Sequence, residues 1–479
     1  MKIAMIASES CPYVKTGGLA DVVYSLAKEM AVLKEDVAII IPLYNQARKK
    51  LTNATYVGDV HVNMSWRRET SAVLYEKKDG INFYFIENQH YFERDKVYGY
   101  DDDGERFAFY AHAAIEVMRW LGGSKAPDII HIHDWQAGMV PCLIKENKDP
   151  YFKDSKFVLT IHNPAFQGIL SRYALGDLYN LPDYLYESGK VKFGEMVSTL
   201  KAGIEYSDKI TTVSPTHRNE LLTNEGSMGL NNVLIFHEYD FCGFLNGIDY
   251  EEFNPEKDPK IFKEYGVENF KEGKRKNKEE LCKMLGLNNE GNPPLYSLVS
   301  RVTWQKGMSL VFSAVHEIVR RGGNVVLLGS GEYDYECEMN NIHMMYPDKV
   351  AVYIGYNDDL AHKIYAGSDF FLMPSLFEPC GLGQMIAQRY GTLPIVRRVG
   401  GLKDSVINYD SNNLDQANGF GFDQFSEGAL ISTCLYAMDN YYIPYNMDNL
   451  VLNALKTDNS WKKSGEQYHG LYLDIAKNK

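Results

Sequence analysis

Short apolar runs alternate with longer amphipathic segments along this chain, and the alternation occurs twice. The first series opens with a strand at 2–8, a helix at 18–33 and a strand at 37–42, an order that predicts a βαβ unit. The second opens with a strand at 295–300 and a helix at 308–320. Strands that alternate with helices form parallel sheets, and 479 residues exceed one ordinary core, so we predict two α/β domains.

Each series continues in the same way. The first continues with helices at 105–121 and 137–145 and strands at 129–133, 157–161 and 209–213. The second continues with strands at 324–328, 350–354, 370–373 and 393–396 and helices at 335–345 and 383–390. Between 55 and 87 the pattern changes to period two, and Asp79-Gly80 predicts a hairpin turn between strands at 71–75 and 81–86.

A charged stretch with few apolar residues, from 257 to 280, separates the two series. We interpret it as the boundary zone between the domains. The tail at 460–475 has the pattern of an amphipathic helix, which we expect to pack on one of the domains.

Composition excludes several classes of protein. Fifty basic and sixty-three acidic residues give a net charge of −13, which disfavours a nucleic acid or an anionic membrane as a partner. No apolar segment is long enough to span a bilayer, and the first apolar stretch is too short for a signal peptide. The seven cysteines are scattered without a Cys-x-x-Cys pair, which favours a reducing cytoplasm over a disulfide framework. The sequence contains no signal for an oligomeric state.

A glycine pair follows the first predicted strand. Lys15-Thr16-Gly17-Gly18-Leu19 opens the next helix, so a phosphate could approach the helix N–H groups while Lys15 supplies a positive charge. The alternative is an ordinary glycine turn with a solvated lysine.

Two neighbouring strands of the first series end in polar side chains. His-Ile-His-Asp-Trp occupies 131–135 and Thr-Ile-His-Asn occupies 160–163. Because parallel strands end at one edge of a sheet, these segments bring imidazoles, a carboxylate and an amide to the same edge, where they could hydrogen-bond to sugar hydroxyls. The residues concerned are His133, Asp134, His162 and Asn163. A metal site at His131 and His133 is one alternative, and a hydrogen-bonded core histidine at 131 is another.

Two cations lie on one loop of the second series. Ser-Arg-Val-Thr-Trp-Gln-Lys-Gly at 300–307 places Arg301 and Lys306 between a strand and a helix. Together they could neutralise a diphosphate leaving group. Ordinary surface basic residues are the alternative.

Phe-Glu-Pro-Cys-Gly-Leu-Gly at 377–383 also lies between a strand and a helix. Pro379 stiffens the turn, Gly381 and Gly383 expose the backbone, and Glu378 is expected to face the crevice. Cys380 is either a nucleophile or a small packing residue. We favour packing, because no histidine is near in sequence.

These motifs resemble those of the bacterial glycogen synthase and plant starch synthase family, in family order and spacing from end to end. The matching segments are Lys-Thr-Gly-Gly-Leu-Ala-Asp-Val at 15–22, His-Asp-Trp at 133–135, Thr-Ile-His-Asn at 160–163, Thr-Val-Ser-Pro at 212–215, Leu-Asn-Gly-Ile-Asp at 245–249, Ser-Arg-Val-Thr-Trp-Gln-Lys-Gly at 300–307, Glu-Pro-Cys-Gly-Leu at 378–382 and Gly-Gly-Leu-Lys-Asp at 400–404.

The resemblance implies a GT-B fold, with two Rossmann-like domains and a deep cleft between them. The implied domains are an acceptor-side domain at 1–250, a nucleotide-sugar domain at 251–456 and a C-terminal helix at 457–479 that crosses back to the first domain. The implied activity is transfer of glucose, with retention of configuration, from ADP-glucose to the 4-hydroxyl end of an α-1,4-glucan primer. No metal or other cofactor is expected.

The resemblance also implies roles for individual residues. The implied catalytic residues are Lys15, Asp134, His162, Arg301, Lys306 and Glu378. The implied donor-binding residues are Lys15, Gly17, Gly18, Asn163, Asn246, Arg301, Lys306, Tyr356, Glu378, Cys380, Gly381, Leu382 and Gly383, with Tyr356 stacking on the adenine. Asp134 and Trp135 are implied on the acceptor side.

Two segments depart from the family pattern. Gly383 stands where threonine, serine or asparagine is frequent, and residues 224–244 are irregular beside the usual members. A GT-B glycosyltransferase with another donor and a catalytically silent glucan-binding regulator are the alternative functions.

Overall fold

A computed structural model of the protein describes residues 1–123 and 125–477. The chain divides into two compact units, one formed by Met1–Phe244 with Trp461–Lys479 and the other by Leu245–Ser460. Each unit contains a mainly or entirely parallel sheet with helices beside it. The predicted α/β class is therefore confirmed.

The first unit is built on a sheet that has nine strands within the described residues, in the order β12-β11-β7-β6-β1-β2-β5-β4-β3. A small sheet, β8-β10-β9, accompanies it. The strands are β1 Lys2–Ile6, β2 Asp36–Pro42, β3 Thr55–Met64, β4 Arg67–Lys78, β5 Ile81–Glu87, β6 Ile129–His133, β7 Lys156–Ile161, β8 Ile169–Leu170, β9 Lys192–Phe193, β10 Met196–Ser198, β11 Lys209–Thr212 and β12 Phe241–Gly243.

The antiparallel part of the large sheet confirms the predicted hairpin. β4 pairs antiparallel with β5 and with β3, whereas β5 pairs parallel with β2. Asp79 and Gly80 have φ values of 51° and 81°, the left-handed pair that a two-residue hairpin turn requires and that Asp-Gly supplies.

Helices of the first unit cover its sheet. They are α1 Gly18–Val32, α2 Asn45–Arg48, α3 Gln89–Phe92, α4 Asp103–Gly122, α5 Asp134–Ala137, α6 Met139–Glu146, α7 Ala174–Tyr179, α8 Tyr184–Glu187, α9 Thr199–Tyr206, α10 Pro215–Leu221, α11 Asn224–Ser227 and α12 Asn231–Phe236. In α1 the buried residues recur at the spacing of one helix face, which explains why this segment is an amphipathic helix: Leu19, Val22, Val23, Leu26, Ala27 and Met30.

The second unit has an entirely parallel sheet within the described residues, in the order β15-β14-β13-β16-β17-β18. Its strands are β13 Leu295–Val299, β14 Asn324–Gly329, β15 Val350–Ile354, β16 Phe370–Met373, β17 Leu393–Arg397 and β18 Phe420–Phe422. Its helices are α13 Phe270–Leu285, α14 Met308–Arg320, α15 Tyr333–Met345, α16 Asp358–Gly367, α17 Gly383–Arg389, α18 Gly400–Ser405, α19 Glu427–Tyr441 and α20 Pro444–Lys456. Every residue of β14 is buried, as expected for a strand covered on both faces.

The charged stretch at 257–280 lies inside the second unit, so its interpretation as the boundary zone was wrong. It contains most of α13, where two lysines are buried. Lys274 donates to the carbonyls of Ala366 and Tyr390, each at 3.2 Å, and Lys278 lies 2.7 Å from Asp369. Burial lowers the pKa of Lys274 to about 7. A lysine with such partners is part of a core, which composition by itself does not reveal.

The last helix, α21 Trp461–Lys477, belongs to the first unit. Trp461, Tyr468 and Tyr472 are buried in the core of that unit. His469 Nε2 also lies 2.7 Å from Glu35 Oε1, a partly buried contact between this helix and the segment that follows α1. Among the described residues, no helix is long and apolar enough to cross a membrane.

Candidate functional site

The predicted site residues of the first unit follow the carboxyl ends of β1, β6 and β7. The first of them lie in a segment that we name the Lys15 loop, residues 15–18, which leads into α1. Lys15 Nζ lies 2.8 Å from Asp21 Oδ1 in the first turn of that helix. Gly17 has an extended φ of −156°, and a Cβ at Gly17 or Gly18 would meet nothing within 4 Å among the described residues. Neither packing nor backbone strain requires these glycines, and they leave the outer side of the loop open.

Glu9 holds the Lys15 loop from the inside and is not predicted from the sequence. Its side chain is buried, and its Oε2 accepts the Thr16 N–H at 2.5 Å. Burial raises the pKa of Glu9 to about 7, although hydrogen bonds from Thr16 and Gly17 oppose the rise. The available sequence signal is a carboxylate directly after the first buried strand.

Asp134 begins α5 immediately after β6, with a left-handed φ of 54°. Its Oδ1 accepts the backbone N–H of His162 at 2.7 Å, which ties the ends of β6 and β7 together. Burial raises the pKa of Asp134 to about 7, and the N–H groups of His162 and Asn163 limit that rise. A buried carboxyl on a strained backbone is typical of a functional site.

The three imidazoles at this edge have different surroundings. His133 Nδ1 lies 3.0 Å from His162 Nε2. Both nitrogens of His131 are engaged, one with the Tyr472 hydroxyl at 2.7 Å and one with Thr160 Oγ1 at 2.6 Å. Burial lowers the pKa of His131 and of His162 to about 3. His131 is therefore the hydrogen-bonded core histidine that the sequence left as an alternative.

Trp135 and Asn163 lie beside these residues. The Trp135 ring packs against Phe107, with centroids 5.1 Å apart, and its carbonyl accepts from Thr199. Asn163 Oδ1 accepts the N–H of Ala165 at 3.0 Å and closes a turn. The side chains thus stabilise local structure here, and the predicted acceptor role of Trp135 stays a prediction.

The substitution Asp134→Asn is expected to raise the free energy of unfolding, by an amount that grows with pH. The folded carboxyl has a pKa of about 7, whereas an unfolded aspartate has a pKa of about 3.9. Its stabilising contribution is therefore complete below about pH 4 and is lost as the pH rises to about 7. Asparagine stays neutral and keeps an oxygen for the His162 N–H.

Urea denaturation of the wild type and of Asp134→Asn at several pH values between 5 and 8 measures this effect. Asp177→Asn is the control, because the hydrogen bond from Arg67 lowers the pKa of Asp177 and that substitution should lose stability instead. A gain from Asp134→Asn that is equal at pH 5 and pH 8 would contradict the prediction.

In the second unit, Lys306 and Glu378 form an ion pair. Lys306 ends a 3-10 turn at Trp304–Lys306, and its Nζ lies 2.5 Å from Glu378 Oε2. The exposed fractions of the two side chains are 13% and 10%. Ser375, which is not predicted from the sequence, donates to the same oxygen at 3.0 Å. Arg301 lies on the same loop as Lys306 and is exposed.

The backbone joins the two loops that carry this ion pair. The Leu376 N–H donates to the Gln305 carbonyl at 2.8 Å, and Gln305 Nε2 donates to the Phe377 carbonyl at 3.1 Å. Gly307 has a φ of 72°, and a Cβ there would lie 2.3 Å from the Pro374 carbonyl oxygen. Glycine is required at 307 because the two loops pass so closely.

Gly-Gly-Leu occurs twice in the chain, at 17–19 and at 400–402, and the second copy packs against the backbone of Glu378. A Cβ at Gly400 would lie 2.0 Å from the Glu378 carbonyl oxygen, and Gly400 has a φ of 42°. The Gly401 N–H donates to the same carbonyl at 3.1 Å. Unlike Gly17 and Gly18, these glycines are required by close packing.

Cys380 is a packing residue, as the sequence favoured. Burial raises the pKa of its thiol to about 12, and Asn246 hydrogen-bonds to it through both backbone and side chain. Asn246 is itself buried, with an Oδ1 that has no hydrogen-bond partner among the described residues.

Gly381 and Gly383 differ in their surroundings. Gly381 has a φ of 74°, which favours glycine. A Cβ at Gly383 would lie 3.0 Å from Cε1 of Phe371. A larger side chain at 383 would therefore require the Phe371 ring to shift by a few tenths of an ångström. Leu382 caps the helix that begins there.

Tyr356 is 87% exposed, and its hydroxyl donates to Asp358 at 3.2 Å. Asp358 also belongs to a group with Glu252 and His362 whose possible metal-ligand atoms lie within 4.8 Å of one another. Lys260 forms an ion pair with Asp358 and lies 3.4 Å from His362 Nε2. Because a lysine supplies the positive charge there, we assign this group a structural role.

The chain matches two family models, one described as starch synthase catalytic domain over residues 2–235 and one described as glycosyl transferases group 1 over residues 284–449. It is 40% identical over 480 residues to the glycogen synthase of Clostridium botulinum (strain Alaska E43 / Type E3), covering 99% of this chain and 100% of the relative. It is 41% identical over 483 residues to the glycogen synthase of Geobacillus stearothermophilus, covering 100% of this chain and 98% of the relative. The chain belongs to the glycogen synthase family.

A solved structure of the same family supports this assignment. The catalytic domain of starch synthase IV from Arabidopsis thaliana, bound to ADP and acarbose, is 34% identical, has a TM-score of 0.91 and covers 99% of each chain. The GT-B fold that the resemblance implied is therefore confirmed. As a member of the glycogen synthase family, the chain is a hexosyltransferase.

Proposed function

We propose that this member of the family transfers glucose from ADP-glucose to the 4-hydroxyl at the non-reducing end of an α-1,4-glucan, with release of ADP. The named relatives are glycogen synthases, and the Arabidopsis structure holds ADP and acarbose. The Lys306–Glu378 pair is the observation that carries the proposal. It fixes a cation and a carboxylate 2.5 Å apart, on the loops where a donor diphosphate and its sugar need them.

In the second unit, Arg301 and Lys306 bind the donor diphosphate in this proposal. Glu378 and the backbone at 380–383 bind the glucosyl ring, Asn246 lines the same place, and Tyr356 stacks on the adenine. The high exposure of Tyr356 makes its ring accessible to a planar base.

In the first unit, the proposal assigns the diphosphate to Lys15 and to the open backbone of Gly17 and Gly18. Asp134 and His162 contact the reacting sugar in this proposal. Asn163 contacts the donor, and Trp135 contacts the acceptor. Burial keeps the pKa of His162 near 3, so its imidazole is neutral at neutral pH. A neutral ring offers hydrogen bonds without placing a positive charge beside an oxocarbenium-like centre.

The reaction is proposed to proceed on one face of the sugar, which retains the configuration. The bond between C1 and the diphosphate oxygen breaks, and the glucan 4-hydroxyl oxygen approaches from the same side and forms the new bond to C1. The proton of that hydroxyl passes to the departing phosphate oxygen, whose charge Lys15, Arg301 and Lys306 neutralise. No metal ion takes part in this proposal.

Purified protein is to be incubated with ADP-glucose or UDP-glucose and a glycogen primer, with nucleoside diphosphate release and glucan elongation as readouts. We expect coupled ADP release and elongation that EDTA does not reduce, and slower reaction with UDP-glucose. A reaction without primer is the control for donor hydrolysis. Absence of elongation with both donors would refute the proposal.

We also propose the cytoplasm as the place of action. No disulfide joins any of the seven cysteines, all of which lie in the described ranges. Reduced cysteines are maintained in that compartment.

A further inference from the structure

Glu9 is a buried carboxyl to which the proposed mechanism assigns no role. It follows β1, and its residue is only 3% exposed, between Ser8 and Ser10 at 0%. Burying a carboxyl is unfavourable unless hydrogen bonds compensate. The partners of Glu9 belong to the Lys15 loop: the Thr16 N–H at 2.5 Å and the Gly17 N–H.

The chain between Glu9 and Thr16 is folded back on itself. The N–H groups of Tyr13 and Val14 both donate to the Ser10 carbonyl, at 3.1 and 3.0 Å. This turn returns Thr16 to the Glu9 side chain. Residues 15–18 themselves are exposed, and the Gly17 cap of α1 makes no side-chain hydrogen bond. The Glu9 carboxyl is thus an anchor from the core to the backbone that carries Lys15.

We propose that Glu9 is a positioning residue for the transfer reaction, which acts by fixing the backbone of the Lys15 loop through the Thr16 N–H. The inference rests on the proposed function, in which that loop binds the donor diphosphate. Glu9 does not touch the substrate in this proposal. By holding the N–H groups of Thr16 and Gly17, it sets where Lys15 and the exposed backbone at Gly18 lie before the donor arrives.

The charge state of Glu9 matters for this role, because a carboxylate accepts N–H bonds more strongly than a carboxylic acid. With a pKa raised by burial to about 7, Glu9 changes charge near neutral pH. The titratable groups that interact with it are Asp21 of α1, Asp134 of α5, and the hydroxyls of Tyr44 and Tyr98. Asp134 also titrates near pH 7, so only a comparison of variants isolates Glu9.

The test uses the full chain with Glu9→Leu, which removes the acceptor, and Glu9→Gln, which keeps an oxygen acceptor without the charge. We expect Glu9→Leu to raise the KM for ADP-glucose at least about tenfold while the KM for glycogen stays within about twofold. Glu9→Gln should stay within about threefold of the wild-type donor KM at pH 7. In the wild type the donor KM should fall as the pH rises through about 7, and Glu9→Gln should reduce that change.

Asp128→Leu is the matched control. Asp128 is also a buried carboxyl of the first unit that accepts a backbone N–H, from Lys2 at 2.9 Å, at the opposite end of β1 from Glu9. The Asp128→Leu substitution should lower the melting temperature without changing the donor KM. Equal donor KM values in Glu9→Leu and wild type, or an equal rise in Asp128→Leu, would overturn the inference.

Hydrogen–deuterium exchange of the segment 10–18 gives a readout that needs no substrate. Glu9→Leu should accelerate exchange of the Thr16 amide, and unchanged exchange would overturn the positioning role even in an active enzyme. A wild type without turnover would refute the proposed function, whereas the exchange result would still decide whether Glu9 fixes the loop. If Glu9→Leu does not fold, Glu9→Asp keeps the charge, shortens the reach and serves the same comparison.

Discussion

Replacing Glu378 by alanine is expected to lower turnover at least about a hundredfold while the protein remains folded. The carboxylate is held by Lys306 at 2.5 Å and Ser375 at 3.0 Å, so it is already in place for a contact that strengthens in the transition state. Alanine also leaves Lys306 without its partner, which should reduce the free energy of unfolding by about 2 kcal/mol. Steady-state kinetics and urea denaturation measure the two effects separately.

A second ion pair of the same unit provides the control for Glu378→Ala. Lys278 lies 2.7 Å from Asp369, with exposed fractions of 4% and 12%. Asp369→Ala should reduce stability at least as much but leave turnover per folded molecule within about twofold of the wild type. If Asp369→Ala lowers turnover as strongly, or if Glu378→Ala retains near-normal turnover, Glu378 has no direct part in the reaction.

The substitution Gly400→Ala is expected to destabilise the protein by about 2–5 kcal/mol, whereas Gly18→Ala should not destabilise it. Both residues belong to Gly-Gly-Leu sequences. A Cβ at Gly400 would lie 2.0 Å from the Glu378 carbonyl oxygen on a backbone with a φ of 42°, but a Cβ at Gly18 would meet nothing within 4 Å among the described residues. Gly18 begins α1, where alanine is favourable to the helix.

Thermal and urea unfolding of both variants measure this contrast. The donor KM adds a second readout, because Gly18→Ala places a methyl group on the loop proposed to bind the diphosphate. We expect that KM to rise about tenfold without loss of stability. A wild-type free energy of unfolding in Gly400→Ala would contradict the close packing at that residue. A wild-type donor KM in Gly18→Ala would show that the backbone of the Lys15 loop takes no part in donor binding.

The charged stretch shows where composition misleads. A run of lysines in a sequence predicts an exposed segment. Lys274 and Lys278 are nevertheless buried, because carbonyl oxygens and Asp369 accept hydrogen bonds from their ammonium groups. Those acceptors lie far along the chain, at Ala366, Tyr390 and Asp369. The two lysines can be buried only because folding places these acceptors beside α13.

The two Gly-Gly-Leu sequences show the same limit at the site. The two sequences are identical, but the glycines at 17 and 18 leave the backbone open, whereas those at 400 and 401 permit close contact with Glu378 and its neighbours. Space around a Cβ depends on distant atoms, so local sequence cannot separate the two cases. Glu9 and Ser375 were missed for a related reason, because their roles depend on which backbone or carboxylate lies opposite them.

The sequence by itself determined the α/β class, the hairpin at Asp79-Gly80 and the family, because hydrophobic periodicity, turn chemistry and motif order are local properties of the chain. It also identified Lys306 and Glu378 as charged residues at the ends of strands. The tertiary structure decided that these two side chains form a partly buried ion pair, that His131 is a core residue and that Glu9 anchors the Lys15 loop. Each of these depends on which groups a folded chain brings within hydrogen-bonding distance, and that distance follows from packing rather than from sequence separation.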